Sequence, residues 1–372
     1  MSNIVAAVLL GGIGPACMPV APADPALEGN LGIDPADFPS MRVVGEPNDT
    51  FSTPLDVVFN GSGQARLGGA VSTVDDVDVY SLGALDAGTR LTIDVATIGS
   101  SLDAAIAIFD SQNRLVAEND DRNLAANQLD PLLDVRLPYG DAVFYVVITA
   151  APLGPSSGSY TIDLRRSTGS VPSPTSQTVV LNFTGGTVVI PGDATYETTA
   201  FDTGDIDPAY AGRTTIVRST IIDTVRENFA GLDLDIRVQP GDAIPSSGVT
   251  VILFGAVNPQ AFGISQGVDV ANLDRCDDGI VFTESFSPSR FRRVLTAEEL
   301  GRAIGNVGAH EIGHLLGLNH VANIVDLMDT TGDATTLLLD QNFQDSRLHD
   351  TIFPIGRQDG LLLLQNTIGT AP

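Results

Sequence analysis

In 372 residues the chain has four histidines, two cysteines and no tryptophan, and its 19 basic side chains face 46 acidic ones. Each scarcity excludes something. A net charge of −27 does not suit a protein that must neutralise the phosphates of duplex nucleic acid, nor one that docks on anionic lipid. Two cysteines cannot build a disulfide framework. No apolar run reaches the roughly 20 residues that a membrane-spanning helix needs. No nucleic acid partner and no membrane span are therefore expected, and the mature chain is read as a soluble monomer.

What is present points elsewhere. Apolar residues make up 43% of the chain, with 15 Phe and 6 Tyr, which is enough to fill cores. At roughly 100–200 residues per domain, the length predicts about two. Thirty-eight Gly and 22 Pro make the chain turn-rich and favour β structure. A strongly acidic surface suits a secreted protein, and it suits calcium, whose ligands are carboxylate and carbonyl oxygens.

The first residues read as a targeting segment. The run 4–13 is apolar but too short to span a bilayer, and Ala21-Pro22-Ala23 follows it with the small-x-small pattern of signal-peptidase cleavage. Residues 1–23 are thus predicted to be a signal peptide, although no Lys or Arg precedes the run. The expected location is outside the cell or at its surface. Export would remove or lipidate Cys17 and leave Cys276 among Asp274, Asp277 and Asp278, where the carboxylates favour an inert thiol.

Residues 24–45 are rich in Pro, Asp and Ala and read as a leader. From 46 to 166 short β-type segments recur about every ten residues, at 79–82, 90–95, 104–109, 132–137, 144–149 and 160–164. Turn residues separate them, the pattern of an antiparallel β-sandwich. Residues 167–176 form a Ser/Pro-rich linker. Beyond it, 178–183 reads as a strand and 212–230 as a helix, with Val217, Ile221, Val225 and Phe229 on one face. Strands are expected at 234–238, 249–254 and 279–283. Thr296 and Glu299 form a capping box that opens a helix from Ala297 to about Leu316. Residues 177–372 are therefore predicted to be an α/β (α+β) domain.

Three of the four histidines fall in and just after that last helix. His310 and His314, four apart, share one face. Gly317 can turn the chain sharply at positive φ, and His320 then returns towards the other two. Three imidazoles with an open fourth position are the donor set of a catalytic zinc site, whereas structural sites are usually closed by cysteines. Glu311 follows the first ligand and is placed to take a proton from water that zinc acidifies.

His310-Glu311-x-x-His314-x-x-Gly317-x-x-His320 resembles the zinc-binding motif of the metzincin metallopeptidases. Those enzymes also carry a Met in a tight turn beneath the metal, and Met328 is the only Met after Met41. The resemblance covers about 177–372 and implies an edge strand before the active helix and a closing helix near 358–367. It implies a secreted zinc endopeptidase acting on protein or peptide, of the matrixin-like and adamalysin-like side of the clan in bacterial form. No Tyr occurs beyond Tyr210, so the Tyr ligand of some metzincins is absent. His349 has no partner spacing and reads as a surface residue.

Residues 46–165 resemble a bacterial pre-peptidase C-terminal domain, a jelly-roll-like sandwich. The resemblance is carried by Glu46-Pro47-Asn48-Asp49, Asp75-Asp76-Val77-Asp78-Val79-Tyr80, the run 102–110, Glu118-Asn119-Asp120-Asp121 and Gly158-Ser159-Tyr160-Thr161. Related modules bind calcium near their opening acidic segment, which would make Glu46, Asn48, Asp75, Asp76 and Asp78 calcium ligands; the alternative is solvated turn carboxylates. Asp202, Asp205 and Asp207 form a second acidic group without the spacing of a calcium loop. Two other readings of the whole chain stand beside the peptidase: a non-catalytic surface or adhesion protein with structural zinc, and a protease that processes only its own linker.

Overall fold

The computed structural model describes residues 38–123, 127–152, 154 and 156–372. The signal-peptide reading of 1–23 and most of the leader lie outside the described residues. The chain is β-rich and divides into two compact units. One holds 38–173 together with 348–357, the other 174–347 together with 358–372.

In the first unit the strands are β1 (Arg42–Val43), β2 (Leu55–Asp56), β3 (Gln64–Val71), β4 (Val77–Leu85), β5 (Arg90–Ala96), β6 (Ala104–Phe109), β7 (Leu115–Asn119), β8 (Leu132–Arg136), β9 (Asp141–Ala150) and β10 (Gly158–Ser167). They form two five-stranded sheets, in the orders β1-β3-β10-β5-β8 and β2-β4-β9-β6-β7. Only the short strands β1 and β2 pair in parallel. The β-branched alternation that marks β5, β6 and β9 in the sequence is the inward-facing set: Ile93, Val95, Ile106, Ile108, Val146 and Ile148 are fully buried. Strand β3 escaped the sequence reading because Gly68 and Gly69 interrupt it. The structure supplies the reason. The hydroxyls of Tyr80 and Tyr160 meet at 2.6 Å, and a Cβ on Gly69 would lie 2.5 Å from one of them and 2.8 Å from the other.

This unit is completed from far along the chain. Leu348 and Phe353 are 0% and 1% exposed and pack with Val79, Ala107, Phe109 and Val147. The rings of Phe109 and Phe353 meet edge-on at 5.7 Å, and the Arg357 N–H donates to Asn113 O at 3.0 Å. The sequence reading left 348–357 within the second domain, because its four apolar residues, Leu348, Ile352, Phe353 and Ile355, follow neither a helical nor a strand period.

The second unit contains β11 (Gln177–Asn182), β12 (Gly186–Val189), β13 (Thr195–Thr198), α1 (Thr203–Ile206), α2 (Thr214–Asn228), β14 (Leu234–Gln239), β15 (Val249–Gly255), β16 (Gly263–Ser265), β17 (Asp278–Phe282), α3 (Pro288–Phe291), α4 (Ala297–Leu315), β18 (Asp345–Arg347), β19 (Arg357–Asp359, whose first residue belongs to the other unit) and α5 (Gly360–Thr367). Its main sheet runs β14-β11-β15-β17-β16. Four strands are parallel, and β16 is an antiparallel edge strand. Helix α2 is the crossover between the parallel pair β11 and β14, and Val217, Ile221 and Val225 bury its apolar face completely. Helix α4 opens as the capping box requires. The Glu299 N–H donates to Thr296 Oγ1 at 3.1 Å, and the Thr296 N–H donates to the Glu299 carboxylate at 2.9 Å. From residue 300 to its end only Arg302 of this helix is exposed. Polar side chains on its last turns are thus held inside the protein.

Limited proteolysis should cut first between Ser167 and Gln177, an exposed stretch with nothing apolar to anchor it. The nicked halves should still co-elute under native conditions, because 348–357 remains seated in the first core. Phe353→Ala should cost about 3–5 kcal/mol of that core's stability, read from denaturant melts. Clean separation of the halves after nicking would contradict this packing.

Candidate metal centre

The last two turns of α4 bring His310 and His314 to one face, and the chain folds His320 back onto them. The return depends on Gly317, at φ +93°, where a Cβ would lie 2.9 Å from Asp269 O. Beyond it the Leu318 N–H donates to Gly313 O at 2.9 Å, closing the helix end. His314 Nε2 lies 3.0 Å from His310 Nε2 and 3.0 Å from His320 Nε2. All three rings are buried.

The other ring nitrogens fix the tautomers. His310 Nδ1 donates to Leu327 O at 2.7 Å and His314 Nδ1 to Leu318 O at 2.8 Å. With Nδ1 carrying the proton, the Nε2 lone pairs face each other. Protonation does not relieve the clash. Burial and the neighbouring His310 push the His314 imidazole down to about 3, and burial lowers His310 as well. Neutral imidazoles with converging lone pairs fit a cation. The Nε2 separations are close to the roughly 3.3 Å edge of a tetrahedron with Zn–N distances of about 2.0–2.1 Å.

Met328 lies directly beneath. It is fully buried, and its sulfur sits so close to Gly313 that a Cβ there would be 2.6 Å from it. The turn is held by the Met328 N–H donating to Asp326 Oδ1 at 3.0 Å and by the Val321 N–H donating to Met328 O at 3.0 Å. The same turn presents Leu327 O to His310.

Glu311, 2% exposed, turns towards the edge strand β16. Burial pushes its carboxyl up to about 8, against hydrogen bonds from the side chain and backbone of Ser265. A cleft opens beside it. Phe262, Val307, Leu327 and Leu337 give it apolar lining, and Asn306, Asp329, Asp333, Thr336 and Gln341 are among its polar groups.

The remaining sequence-based site residues fall out differently. Glu46 and Asp76 come together, but with Asp49 rather than Asp75. Asp49 was quoted in the sequence motif and passed over as a ligand. Asn48 and Asp78 lie against this group: Asn48 Nδ2 donates to Asp78 Oδ1 at 2.8 Å, and Tyr160 donates to Asp78 Oδ2 at 2.5 Å. Burial, then Asp78 and Asp76, push Glu46 up to about 7. Asn48 Oδ1 is buried without a hydrogen-bond partner. Asp202 and Asp207 are helix caps, accepting from the N–H groups of Gly204 and Ala209. His349 bonds within its own turn, to Thr351. The Cys276 N–H donates to Asp274 Oδ1 at 3.0 Å; the other cysteine, Cys17, lies outside the described residues.

No family model matches the chain, and no curated protein does. Among solved structures it is similar to the pre-peptidase C-terminal domain of collagenase from Bacillus anthracis, at 13% identity and a TM-score of 0.23 over 33% of this chain and 100% of that one. It is similar to an archaemetzincin from Methanopyrus kandleri at 15% identity and a TM-score of 0.26, over 53% of this chain and 98% of that one. A zinc-dependent peptidase from Methanocorpusculum labreanum matches at 13% and 0.26, over 50% and 99%. Scores of this size do not decide a family or a function.

The loop behind α4 carries a separate electrostatic signature. The Asp269 N–H donates to His314 O at 3.0 Å, so this loop abuts the helix end. Burial, and then Asp269, push Asp277 up to about 9. The folded protein therefore binds a proton that the unfolded chain releases near pH 4. Stability from this group is complete below that pH and is lost as pH rises through 9. Asp277→Asn should melt a few degrees above wild type at pH 9 and level with it at pH 4. A pH-independent difference between the two melting curves would contradict the assignment.

Proposed function

We propose that the protein is a zinc-dependent endopeptidase of metzincin type. The observation that carries this reading is the convergence of three buried imidazole Nε2 atoms beside a buried carboxyl group, on a helix that ends against an edge strand. His310, His314 and His320 would hold the ion. When bound, zinc would polarise the scissile carbonyl and acidify water.

The chain's own residues do the rest. The Glu311 carboxylate takes the proton from the attacking water and returns it to the leaving amine. Ser265 holds that carboxylate in place. On the side of β16 away from β17, the Ser265 backbone N–H is taken by Glu311, and Gly263 would offer its N–H and C=O to an extended peptide lying antiparallel to the strand. The cleft beside Glu311 receives one substrate side chain, whose apolar body would lie against Phe262, Val307, Leu327 and Leu337, with Asp329 and Asp333 also in the lining. Met328 and Gly317 shape the floor and the exit of the helix. A hydrolase with an acidic surface and an N-terminal sequence of signal-peptide type acts outside the bacterial cell on this reading.

Two substitutions separate the roles. His314→Ala should lose zinc, measured as metal per chain after dialysis. Glu311→Ala should keep one zinc and lose about 10²–10⁴ in kcat, assayed on casein. A Glu311→Ala protein as active as wild type would remove the catalytic assignment, and one without zinc would make Glu311 a ligand.

We further propose calcium at Glu46, Asp49 and Asp76, with Asn48 and Asp78 completing the group. The unpartnered Asn48 Oδ1 is the specific support, since a buried acceptor without a partner calls for a cation or a donor. Calcium at a hundred times its Kd should stabilise the full chain by about 2.7 kcal/mol. Equal magnesium should do less, because it demands a tighter octahedral shell. Asp76→Asn should abolish the shift. A wild-type melting temperature indifferent to millimolar calcium would leave these groups as solvated turn carboxylates.

A further inference from the structure

One buried polar side chain among those lining the cleft belongs neither to the metal centre nor to the proposed proton transfer. Asn306 lies on α4 one turn before His310 and is 3% exposed. Burying an amide is costly unless its hydrogen bonds are made, and here they are. Asn306 Nδ2 donates to Leu337 O at 3.1 Å and to Leu339 O at 3.1 Å. Its Oδ1 accepts from Asn228 Nδ2, at the end of α2, at 3.2 Å.

The two carbonyls belong to a single 3-10 turn, Thr336–Leu338, and its capping residue Leu339. That turn forms part of the outer wall of the cleft, through Thr336 and Leu337, while Val307, His310 and Glu311 form the inner wall. Leu337 and Leu338 pack against the core, and the turn's own hydrogen bonds reach back only to Asp333, Thr335 and Thr336. Asn306 clamps it to the helix that carries His310 and Glu311, and Asn228 fixes which way the amide faces.

We infer that Asn306 is a positioning residue that sets the width of the cleft, and so determines which apolar substrate side chain the protein accepts. The inference rests on the peptidase reading given above. Without the clamp, Leu337 and Leu339 present unpaired carbonyls and the wall relaxes. The chemistry at Glu311 does not change. The expected signature is lost discrimination rather than lost turnover.

The test uses zinc-loaded full-length protein and quenched-fluorescent peptides that differ only in one side chain next to the scissile bond: Ala, Val, Leu or Phe. Wild type should show a clear preference in kcat/KM. Asn306→Ala should keep its zinc, keep kcat within about threefold, and flatten the preference by roughly tenfold, mainly through a higher KM for the best peptide. Asn306→Asp preserves the volume but replaces both donors with acceptors, and should flatten it equally. Asn306→Ser, with one donor left, should fall between. If Asn306→Ala does not fold, Asn228→Ala frees the amide from the α2 side and should give a partial flattening. A variant that folds, holds zinc and retains the wild-type preference overturns the role of Asn306 and leaves the peptidase reading standing. Wild type that holds zinc and cleaves no peptide overturns both.

Discussion

His310, His314 and His320 turn their Nε2 atoms towards one spot, and the second unit is organised around holding them there. His310 and His314 are gripped from behind by the carbonyls of Leu327 and Leu318. Leu327 belongs to the turn that buries Met328, and Leu318 to the exit that Gly317 allows. The helix end, its exit and the turn beneath it are therefore parts of one constraint, and moving any of them releases an imidazole. Burial removes the easy escape of protonation, since it drives His314 down to about 3.

The same burial shapes what lies beside the histidines. A carboxylate as enclosed as Glu311 resists ionisation, and Ser265 offsets part of that resistance from the edge strand. Glu311, the edge strand β16 and the cleft thus lie side by side. Their proximity follows from the sheet order, which puts β16 at the edge next to β17 and delivers the chain from β17 into α4 within fifteen residues. The cleft's outer wall is different in kind. It comes from residues after Met328 that have little regular structure, held by the packing of Leu337 and Leu338 and by two hydrogen bonds from one amide on α4.

What the sequence made legible was whatever covalent spacing alone decides. His310 and His314 share a face because a helix repeats every 3.6 residues. Thr296 and Glu299 cap because they are three apart, and Met328 stood out because methionine is so rare. Illegible were the features that depend on partners far along the chain. Asn306 reads as an indifferent helix residue until Leu337 and Leu339, 31 and 33 positions away, supply the carbonyls. Strand β3 looked broken at Gly68 and Gly69, because the tyrosines that need the space come from β4 and β10. Residues 348–357 gave no hint of joining a core more than two hundred positions earlier. Asp49 rather than Asp75 completes the acidic group, because turn geometry and not spacing decides which carboxylates meet.

The central claim is that the three histidines form a zinc site at which a peptide can bind beside β16. Zinc-edge anomalous diffraction from crystals of Glu311→Ala grown with a peptide tests it most directly. The account requires one anomalous peak about 2.0–2.1 Å from each Nε2 of His310, His314 and His320, with the peptide antiparallel to 263–265. A peak held by other side chains, or none at these three nitrogens in zinc-saturated crystals, would contradict it.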